Sequence, residues 1–311
     1  MKLLLISPPR RHQVWAGVPK MFNDRFAYLF PPLAVMTLSS YLKRETKHTI
    51  DVMDCQPTDL GWDDIAGRVR DTQPDVVGVT APATHCLVDV RKTIEAVRRA
   101  NPNAFVVLGG PHVNAYPEQS ARFPGVDVAM QGDGEVPLAR LLDTLEGGGD
   151  LASVPNILIK REDGSVFQSD CVPNIEDLDS LPFADREACP PGLYYTPGMK
   201  AARTTTMMSS RGCPLRCTFC NVPHSYRKRS PEHVVEEIVE CVERYGIEDI
   251  HFVDDFFNLT VDRVMQISEE ILRRGVKVGW SFKATVRQTS REMIRLAQRA
   301  DATASTTGSK R

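Results

Sequence analysis

Short apolar runs alternate with amphipathic stretches along the first half of the chain and predict a repeating strand and helix pattern. Residues 2–7 (KLLLIS) form a continuous apolar run closed by Pro8 and Pro9, which is typical of a strand buried on both faces of a parallel sheet. Four similar runs, each bounded by Gly, Pro, Asp or Asn, cover residues 49–55, 76–80, 105–108 and 126–130. These runs predict five strands in all.

Amphipathic helical patterns separate these strands, at residues 33–44, 62–72, 87–100, 118–122 and 136–145. Strands that alternate with helices form βαβ units, and right-handed crossovers place the helices on both faces of one parallel sheet. We therefore predict that residues 1–149 form an α/β domain, a doubly wound parallel sheet with a flavodoxin-like strand order.

The second half changes character after the three glycines at 147–149. Asp163-Gly164 lies between two apolar segments and predicts a hairpin, and a proline-rich connector follows, so residues 150–200 are interpreted as a hairpin and linker. A second domain is predicted at residues 201–300, because strand–helix units recur at 204–244, 249–274 and 277–299.

The end of the chain has a different composition. Residues 301–311 contain no apolar side chain larger than alanine, so they predict a disordered tail and no fourth buried strand. With one choice of codons, a shifted reading frame would encode Ile-Tyr-Tyr-Gly-Ile-Glu at this point, which is a strand-like pattern. A truncated or frameshifted product is therefore our hypothesis for this stretch, and the gene sequence would decide it.

Composition and charge exclude several classes of partner. The chain has 311 residues, 42% of them hydrophobic, and its 38 Lys and Arg against 40 Asp and Glu give a net charge of -2. This balance offers no electrostatic attraction for nucleic acid. The apolar runs are shorter than the ~18 residues of a membrane span, and no signal peptide is recognisable, so we expect a cytoplasmic protein without a membrane span.

The carboxyl ends of the predicted strands are the expected ligand site of the first domain, because doubly wound sheets bind ligands there. Gly109-Gly110 directly after a strand would let a ligand approach the backbone, although a tight turn is the alternative. The GDGE sequence at 132–135 does not predict NAD binding, since it follows the fifth strand and lacks a further glycine of the dinucleotide fingerprint. His112 is interpreted as a turn residue or hydrogen-bond donor.

Three of the eight cysteines stand close together, namely Cys213, Cys217 and Cys220. Thiolates at C-x-x-x-C-x-x-C spacing on one short loop can converge on a soft-metal centre. Three ligands would leave one iron of a four-iron cluster open to an exogenous molecule, which indicates a catalytic cluster. The alternatives are a structural zinc site that adds His224 to the three cysteines and a redox pair of Cys217 and Cys220.

This cysteine spacing, with Phe219 before the last cysteine, resembles the signature of the radical S-adenosylmethionine (SAM) superfamily. The preceding domain strengthens the resemblance, because a doubly wound fold with GVTAP at 78–82, GGPH at 109–112 and GDGE at 132–135 is similar to the cobalamin (B12)-binding radical SAM proteins. The resemblance covers roughly residues 1–299 and implies a partial (βα) radical SAM barrel after a cobalamin-binding sheet.

The resemblance implies three cofactors. A [4Fe-4S] cluster on the three cysteines would bind SAM and cleave it to methionine and a 5′-deoxyadenosyl radical, which would take hydrogen from a small-molecule substrate. Cobalamin would then supply a methyl group, so the implied activity is C-methyl transfer, with a reducing partner such as flavodoxin or ferredoxin. Cyclisation or rearrangement is one alternative, and a catalytically impaired cobalamin- and Fe–S-binding protein is another, because roughly half of the barrel units are expected to be missing.

The resemblance also implies roles for individual residues. Phe219 would lie near the adenine of SAM, and Asp254 and Asp255 would contact its amino group, although capping of the following helix is an alternative role for the two aspartates. Trp280 matches a position in relatives, but a core tryptophan explains it equally well. The implied cobalamin contacts are Thr80, Pro82, Gly109, Gly110, Pro111, Gly132 and Glu135. No D-x-H-x-x-G sequence occurs, which predicts cobalamin without an axial histidine.

Overall fold

The computed structural model describes residues 1–12, 30–194 and 203–306, with the backbone alone for 303–306. The predicted connector residues 195–202 and tail residues 307–311 lie outside this description. The described chain divides into two compact units. The first comprises residues 1–12, 34–175 and 184–189, and the second comprises residues 30–33, 176–183, 190–194 and 203–306.

The first unit contains a sheet of seven strands. They are β1 (Lys2–Ser7), β2 (Thr49–Asp54), β3 (Val76–Thr80), β4 (Phe105–Gly109), β5 (Val128–Met130), β6 (Ile157–Lys160) and β7 (Val166–Gln168). The helices are α1 (Leu33–Glu45), α2 (Trp62–Thr72), α3 (Leu87–Ala100), α4 (Pro111–Ala115), α5 (Pro117–Ala121) and α6 (Glu135–Gly147). The strand order is β2-β1-β3-β4-β5-β6-β7, and the first five strands pair in parallel. The predicted flavodoxin-like order is confirmed.

The strand β1 shows why this sheet forms from continuous apolar runs. Its side chains alternate between two core clusters, so that Leu4 and Ile6 pack in one cluster and Leu3 and Leu5 pack in the other. Both faces of the strand are therefore covered by apolar side chains, and all four of these residues are buried. Burial on two faces requires helices on both sides of the sheet, as the sequence predicted.

The predicted hairpin adds two antiparallel strands to this sheet. Strand β6 pairs with β5 and then with β7, with Ala129 opposite Leu158. The first unit consequently extends beyond the boundary that we placed at residue 149, because the hairpin supplies hydrogen-bond partners for the edge of β5. The sequence pattern identified the turn but carried no information about the strand that the hairpin would join.

The second unit contains a parallel sheet of four strands in the order β13-β12-β11-β8 and a separate antiparallel pair, β9 and β10. The strands are β8 (Thr204–Met207), β9 (Ser210–Arg211), β10 (Arg227–Lys228), β11 (Asp249–Phe252), β12 (Gly279–Ala284) and β13 (Ala302–Thr306). The helices are α7 (Pro231–Tyr245), α8 (Val261–Arg274) and α9 (Arg291–Arg299). Among the residues that the structure describes, we find no helix long and apolar enough to cross a membrane.

Local sequence signals set the starts of these three helices. The side chains of Ser230, Thr260 and Ser290 each accept a hydrogen bond from the backbone N–H three residues later, which satisfies a donor that has no partner inside the helix. The helices cover one face of the sheet, where Phe252 and Trp280 lie in a shared core. Alternation along the strands turns the intervening side chains to the opposite face.

The expectation that the tail forms no strand was wrong for residues 302–306. Strand β13 pairs in parallel with β12, with Ala302 opposite Trp280 and Thr306 opposite Ala284. The ladder between two strands is made by backbone N–H and C=O groups, so small side chains do not prevent a strand where a neighbouring edge offers partners. The composition of this stretch, which lacks large apolar side chains, does not reveal this pairing.

Candidate functional site

In the first unit, the segments that follow β3 and β4 are joined at the carboxyl edge of the sheet. Thr80 is opposite Gly109 in the ladder, the N–H of Ala81 donates to the carbonyl of Gly109 at 2.7 Å, and the N–H of His112 donates to the carbonyl of Ala81 at 3.1 Å. The predicted contact residues of these two strand ends are therefore brought together. Pro82 and Pro111 stand exposed beside them.

The two glycines after β4 have different surroundings. Gly110 has a φ of +106°, and a Cβ there would lie 2.9 Å from the carbonyl oxygen of Ala81 and 3.0 Å from Oγ1 of Thr80, so only glycine fits. A Cβ at Gly109 would meet no atom within 4 Å. The backbone of Gly109 thus faces open space, in which a ligand could lie close to the main chain.

The remaining predicted contacts of the first unit separate into an exposed and a buried residue. Gly132 is exposed with a φ of +72°, and its N–H donates to Oδ1 of Asn114 on α4 at 2.8 Å. Glu135 begins α6 and is 2% exposed. Asn114 ties the segment after β5 to the segment after β4, and no sequence pattern had indicated it.

His112, two residues after Gly110, is buried. Its Nδ1 lies 3.0 Å from Oγ1 of Thr84, and its Nε2 is buried with no hydrogen-bond partner among the described residues. Burial lowers the pKa of His112, so the ring is neutral near pH 7. A buried ring nitrogen without a protein partner, three residues after the open backbone of Gly109, fits an edge that receives a polar ligand.

In the second unit, the three clustered cysteines lie on one loop, residues 212–226 between β9 and β10, which we call the cysteine loop. Cys213, Cys217 and Cys220 form no disulfide and are partly exposed. The N–H of Cys213 donates to the carbonyl of Pro223 at 2.9 Å, and that of Cys220 donates to the carbonyl of Cys217 at 3.0 Å. All three thiols are therefore open to a soft metal on one short segment.

Gly212 allows this loop to close on itself. It has a φ of +81°, and a Cβ there would lie 2.1 Å from the carbonyl oxygen of Ser225. Any larger residue would separate the first and last residues of the cysteine loop. Phe219, at the outer part of the loop, is 74% exposed.

The thiols match an iron–sulfur centre in donor type and spacing, but the ligands are not gathered around one point. In the described part of the chain, no three His, Cys, Asp or Glu side chains are close enough to hold a metal ion. His224 is exposed on the same loop. Both a zinc site and an iron–sulfur cluster therefore agree with this geometry. Three thiols within eight positions are the donor set of an iron–sulfur cluster.

The two aspartates after β11 have separate environments. Asp254 is buried and accepts hydrogen bonds from the N–H of Ser209 at 2.8 Å, from Oγ of Ser209 at 2.6 Å and from Oγ of Ser210. Burial raises the pKa of Asp254, while these bonds and Arg263 act in the opposite direction. Asp255 is exposed, and its Oδ2 accepts from the N–H of Gly212 at 3.2 Å. Neither aspartate caps α8, because Thr260 does.

Beneath the cysteine loop lies a polar network that the sequence did not reveal. Arg229 follows β10 and donates to Oε2 of Glu237 on α7, and its Nε donates to Nδ1 of His233 at 3.0 Å. Arg229 and Glu237 are both buried. A buried pair that is hydrogen-bonded on both sides fixes the chain where the loop returns to α7.

A second unexpected pair lies on the sheet face away from the helices. His251 on β11 is level with Ser281 on β12, and its Nδ1 lies 2.8 Å from the hydroxyl of Ser281. Phe30 stacks on the His251 ring at 5.5 Å. Burial, and then the charge of Lys283, lower the pKa of His251, so this face carries a neutral, oriented imidazole.

Comparisons with known proteins agree with this division of the chain. The family model of the B12 binding domain matches residues 19–142, and that of the Radical SAM superfamily matches residues 207–306. An uncharacterized methyltransferase of Pyrococcus horikoshii is 32% identical over 291 residues, which are 92% of this chain and 60% of the relative. An anaerobic magnesium-protoporphyrin IX monomethyl ester cyclase of Rubrivivax gelatinosus is 28% identical, and the match covers 85% of this chain and 48% of the cyclase. The chain thus spans about half the length of these relatives.

The fold is also found in a solved structure. The radical S-adenosylmethionine methyltransferase TsrM of Kitasatospora setae, determined with cobalamin and a [4Fe-4S] cluster bound, superposes with a TM-score of 0.75 at 20% sequence identity. The match covers 98% of this chain and 58% of that protein. At this identity the likeness concerns the fold, and it spans both units.

The contrast between the two aspartates yields a stability prediction. We expect Asp254→Ala to lower the free energy of unfolding of the second unit by about 2–4 kcal/mol, because it leaves the N–H of Ser209 buried without an acceptor. Asp255→Ala serves as the matched control and should cost less than about 1 kcal/mol, since Asp255 is exposed.

Urea unfolding followed by the fluorescence of Trp280 measures this difference, in a chain whose Trp15 and Trp62 are replaced by Phe. Equal losses for the two variants would contradict the assignment of Asp254 as the buried anchor of the segment after β8.

Proposed function

The chain belongs to the cobalamin-binding radical SAM proteins, and we propose that it is a cobalamin-dependent radical SAM enzyme that transfers a methyl group to carbon. The observation that carries this proposal is the cysteine loop with three partly exposed thiols at Cys213, Cys217 and Cys220. The loop follows the first strand of the second parallel sheet, at its carboxyl edge. Catalytic groups of parallel α/β barrels come from this edge.

Each cofactor has candidate residues in the chain. The three thiolates would hold a [4Fe-4S] cluster, which supplies the electron that cleaves SAM, and cobalamin supplies the methyl group. The carboxylate of Asp255 suits the ammonium group of SAM, because it is exposed beside Gly212 at the start of the cysteine loop. Phe219 offers an exposed ring to the adenine. Asp254 is not proposed as a SAM contact, since its oxygens accept from Ser209 and Ser210.

The first unit would hold the cobalamin along the ends of β3 and β4. The nucleotide tail of the cobalamin would lie against Gly109, Gly110 and Pro111. The segment that begins at Thr80 and includes Pro82 would lie under the corrin ring. The open space at Gly109 and the orphaned Nε2 of His112 support this placement. Gly132 would be a further contact with the cobalamin. Glu135 is buried, so it would support the carboxyl edge of the sheet from inside the unit.

A second candidate activity is supported by one of the relatives. The cyclase of Rubrivivax gelatinosus is 28% identical to this chain, so radical cyclisation on the same cofactors is the alternative reaction. In both cases the substrate is proposed to be a small molecule, and reduced flavodoxin or ferredoxin the electron donor. Product analysis separates them, because methyl transfer also forms S-adenosylhomocysteine.

The cluster is tested by a substitution in the cysteine loop. After anaerobic reconstitution with iron and sulfide, Cys217→Ala should lose the cluster and the formation of 5′-deoxyadenosine from SAM, since two thiolates cannot hold it. Cobalamin binding should be unchanged, because its proposed residues lie in the other unit. Cys171→Ala is the control, as an exposed cysteine outside the loop.

If the cysteine loop is instead a structural zinc site, metal analysis should find zinc and no iron. One zinc per chain with no iron uptake, lost in His224→Ala, would overturn the cluster and with it the proposed enzyme.

The proposed role of Asp255 predicts a loss of SAM affinity. Asp255→Asn removes the negative charge and should weaken SAM binding to the reconstituted protein by about tenfold. Glu269→Gln makes the same change on the exposed face of α8 and should leave the affinity unchanged. Isothermal titration with SAM measures both, and equal affinities for all three proteins would contradict the role.

The proposed cobalamin edge predicts an effect of a single methyl group. Gly109→Ala should leave the stability of the free protein unchanged, because the added Cβ meets no protein atom. It should weaken cobalamin binding by about tenfold, since the methyl occupies the space of the ligand. Gly67→Ala on α2, also without a nearby atom, is the control, and a spectroscopic cobalamin titration is the measurement. Unchanged binding in Gly109→Ala would place the ligand elsewhere.

A further inference from the structure

Both ends of the cysteine loop meet at one point of the second unit. The N–H of Arg229, which follows the loop, donates to the carbonyl of Ser209, which precedes it, at 2.9 Å. Between them, β9 and β10 pair with Arg211 opposite Arg227 and Ser210 opposite Lys228. The loop is therefore a long hairpin with a narrow neck, and the cysteines lie beyond the neck.

A single side chain from α8 binds the two ends of this neck. Arg263 donates from one terminal nitrogen to the carbonyl of Ser209 at 2.8 Å and from the other to the carbonyl of Arg229 at 3.0 Å. The side chain is 3% exposed. The planar guanidinium can hold two carbonyls in a fixed geometry, which a lysine ammonium cannot reproduce.

The buried positive charge of Arg263 lies near the carboxylate of Asp254, and both side chains bind Ser209. Burial lowers the pKa of Arg263, Tyr226 and Asp254 raise it, and the charge of Arg229 lowers it. An arginine remains protonated under these conditions. Asp254 accepts from the backbone and hydroxyl of Ser209, so Ser209 is held through its N–H, its hydroxyl and its carbonyl. Removing one buried charge would leave the other uncompensated.

We propose that Arg263 is a positioning residue for the iron–sulfur cluster, which acts by holding the neck of the cysteine loop. This inference rests on the proposed function. Three thiolates that are brought together repel one another, and closing the loop around the metal restricts a flexible segment. A fixed neck lowers the entropic part of this cost. Arg263 would not touch the cluster or SAM, and its effect passes through Ser209 and Arg229.

The test compares Arg263→Gln and Arg263→Lys with Arg274→Gln in the full chain. Arg274 lies on the same helix and forms ion pairs with Glu236 and Glu270, so its substitution controls for the loss of an arginine from α8. Iron and sulfide per chain are measured after anaerobic reconstitution, together with the paramagnetic resonance spectrum of the reduced cluster with and without SAM. Fluorescence of Trp280, with Trp15 and Trp62 replaced by Phe, reports whether the second unit is folded.

We expect Arg263→Gln to contain at least about fivefold less iron than the parent and Arg263→Lys an intermediate amount, with native Trp280 emission in both. The iron that remains should give an altered spectrum in the presence of SAM. Arg274→Gln should match the parent. Equal iron content and identical spectra in Arg263→Gln would overturn the proposal. Cluster loss accompanied by loss of the native Trp280 emission in both variants would also overturn it, because Arg263 would then serve the fold of the unit.

The parent protein separates this inference from the proposed function. A parent chain that takes up no iron contradicts the proposed enzyme itself, whereas a parent that forms the cluster together with a fully loaded Arg263→Gln variant contradicts only the role of Arg263.

Discussion

Parallel strand pairing determines where chemistry can take place in each unit, because parallel strands all end at the same edge of their sheet. In the first unit this brings Thr80 next to Gly109, and in the second it brings Met207 next to Phe252. The segments after these strands consequently meet. Their contacts join residues that are distant in sequence, such as the 2.8 Å bond from the N–H of Ser209 to Asp254.

Two buried charged residues of the second unit, Asp254 and Arg263, bind the segments that meet in this way. After β8, the N–H of Ser209 donates to Asp254, and the carbonyls of Ser209 and Arg229 accept from the guanidinium of Arg263. Charged groups are costly to bury unless they are paired, and here the guanidinium and carboxylate meet on the same serine, Ser209.

Sequence patterns predicted the elements well and their long-range partners less well. Runs such as residues 76–80 and 62–72 are defined by local periodicity, which is why β3 and α2 begin and end as predicted. The pairing of β6 with β5, the strand β13 and the reach of Arg263 to Ser209 depend on neighbours that no local pattern encodes. Asp254 and Asp255 are adjacent and chemically identical, so only the fold could assign one to the interior and one to the surface. Trp280, similarly, is fully buried, and its Nε1 donates to the carbonyl of Ala300 at 2.6 Å, which assigns it to the core.

Burial distinguishes the three cysteines of the cysteine loop from the four cysteines of the chain that are buried. Burial raises the pKa of the Cys55 thiol to about 12, with Asp54 and Asp64 adding to the increase, so this cysteine stays protonated and unreactive inside the first core. Cys213, Cys217 and Cys220 lie instead on a partly exposed loop, where a thiolate can be hydrated and a metal can reach it. A loop packed into the core would lose this access, and an unsupported loop would not gather three thiolates. In this chain the ends of the cysteine loop are held by buried hydrogen bonds, and the three cysteines lie beyond them on a partly exposed segment.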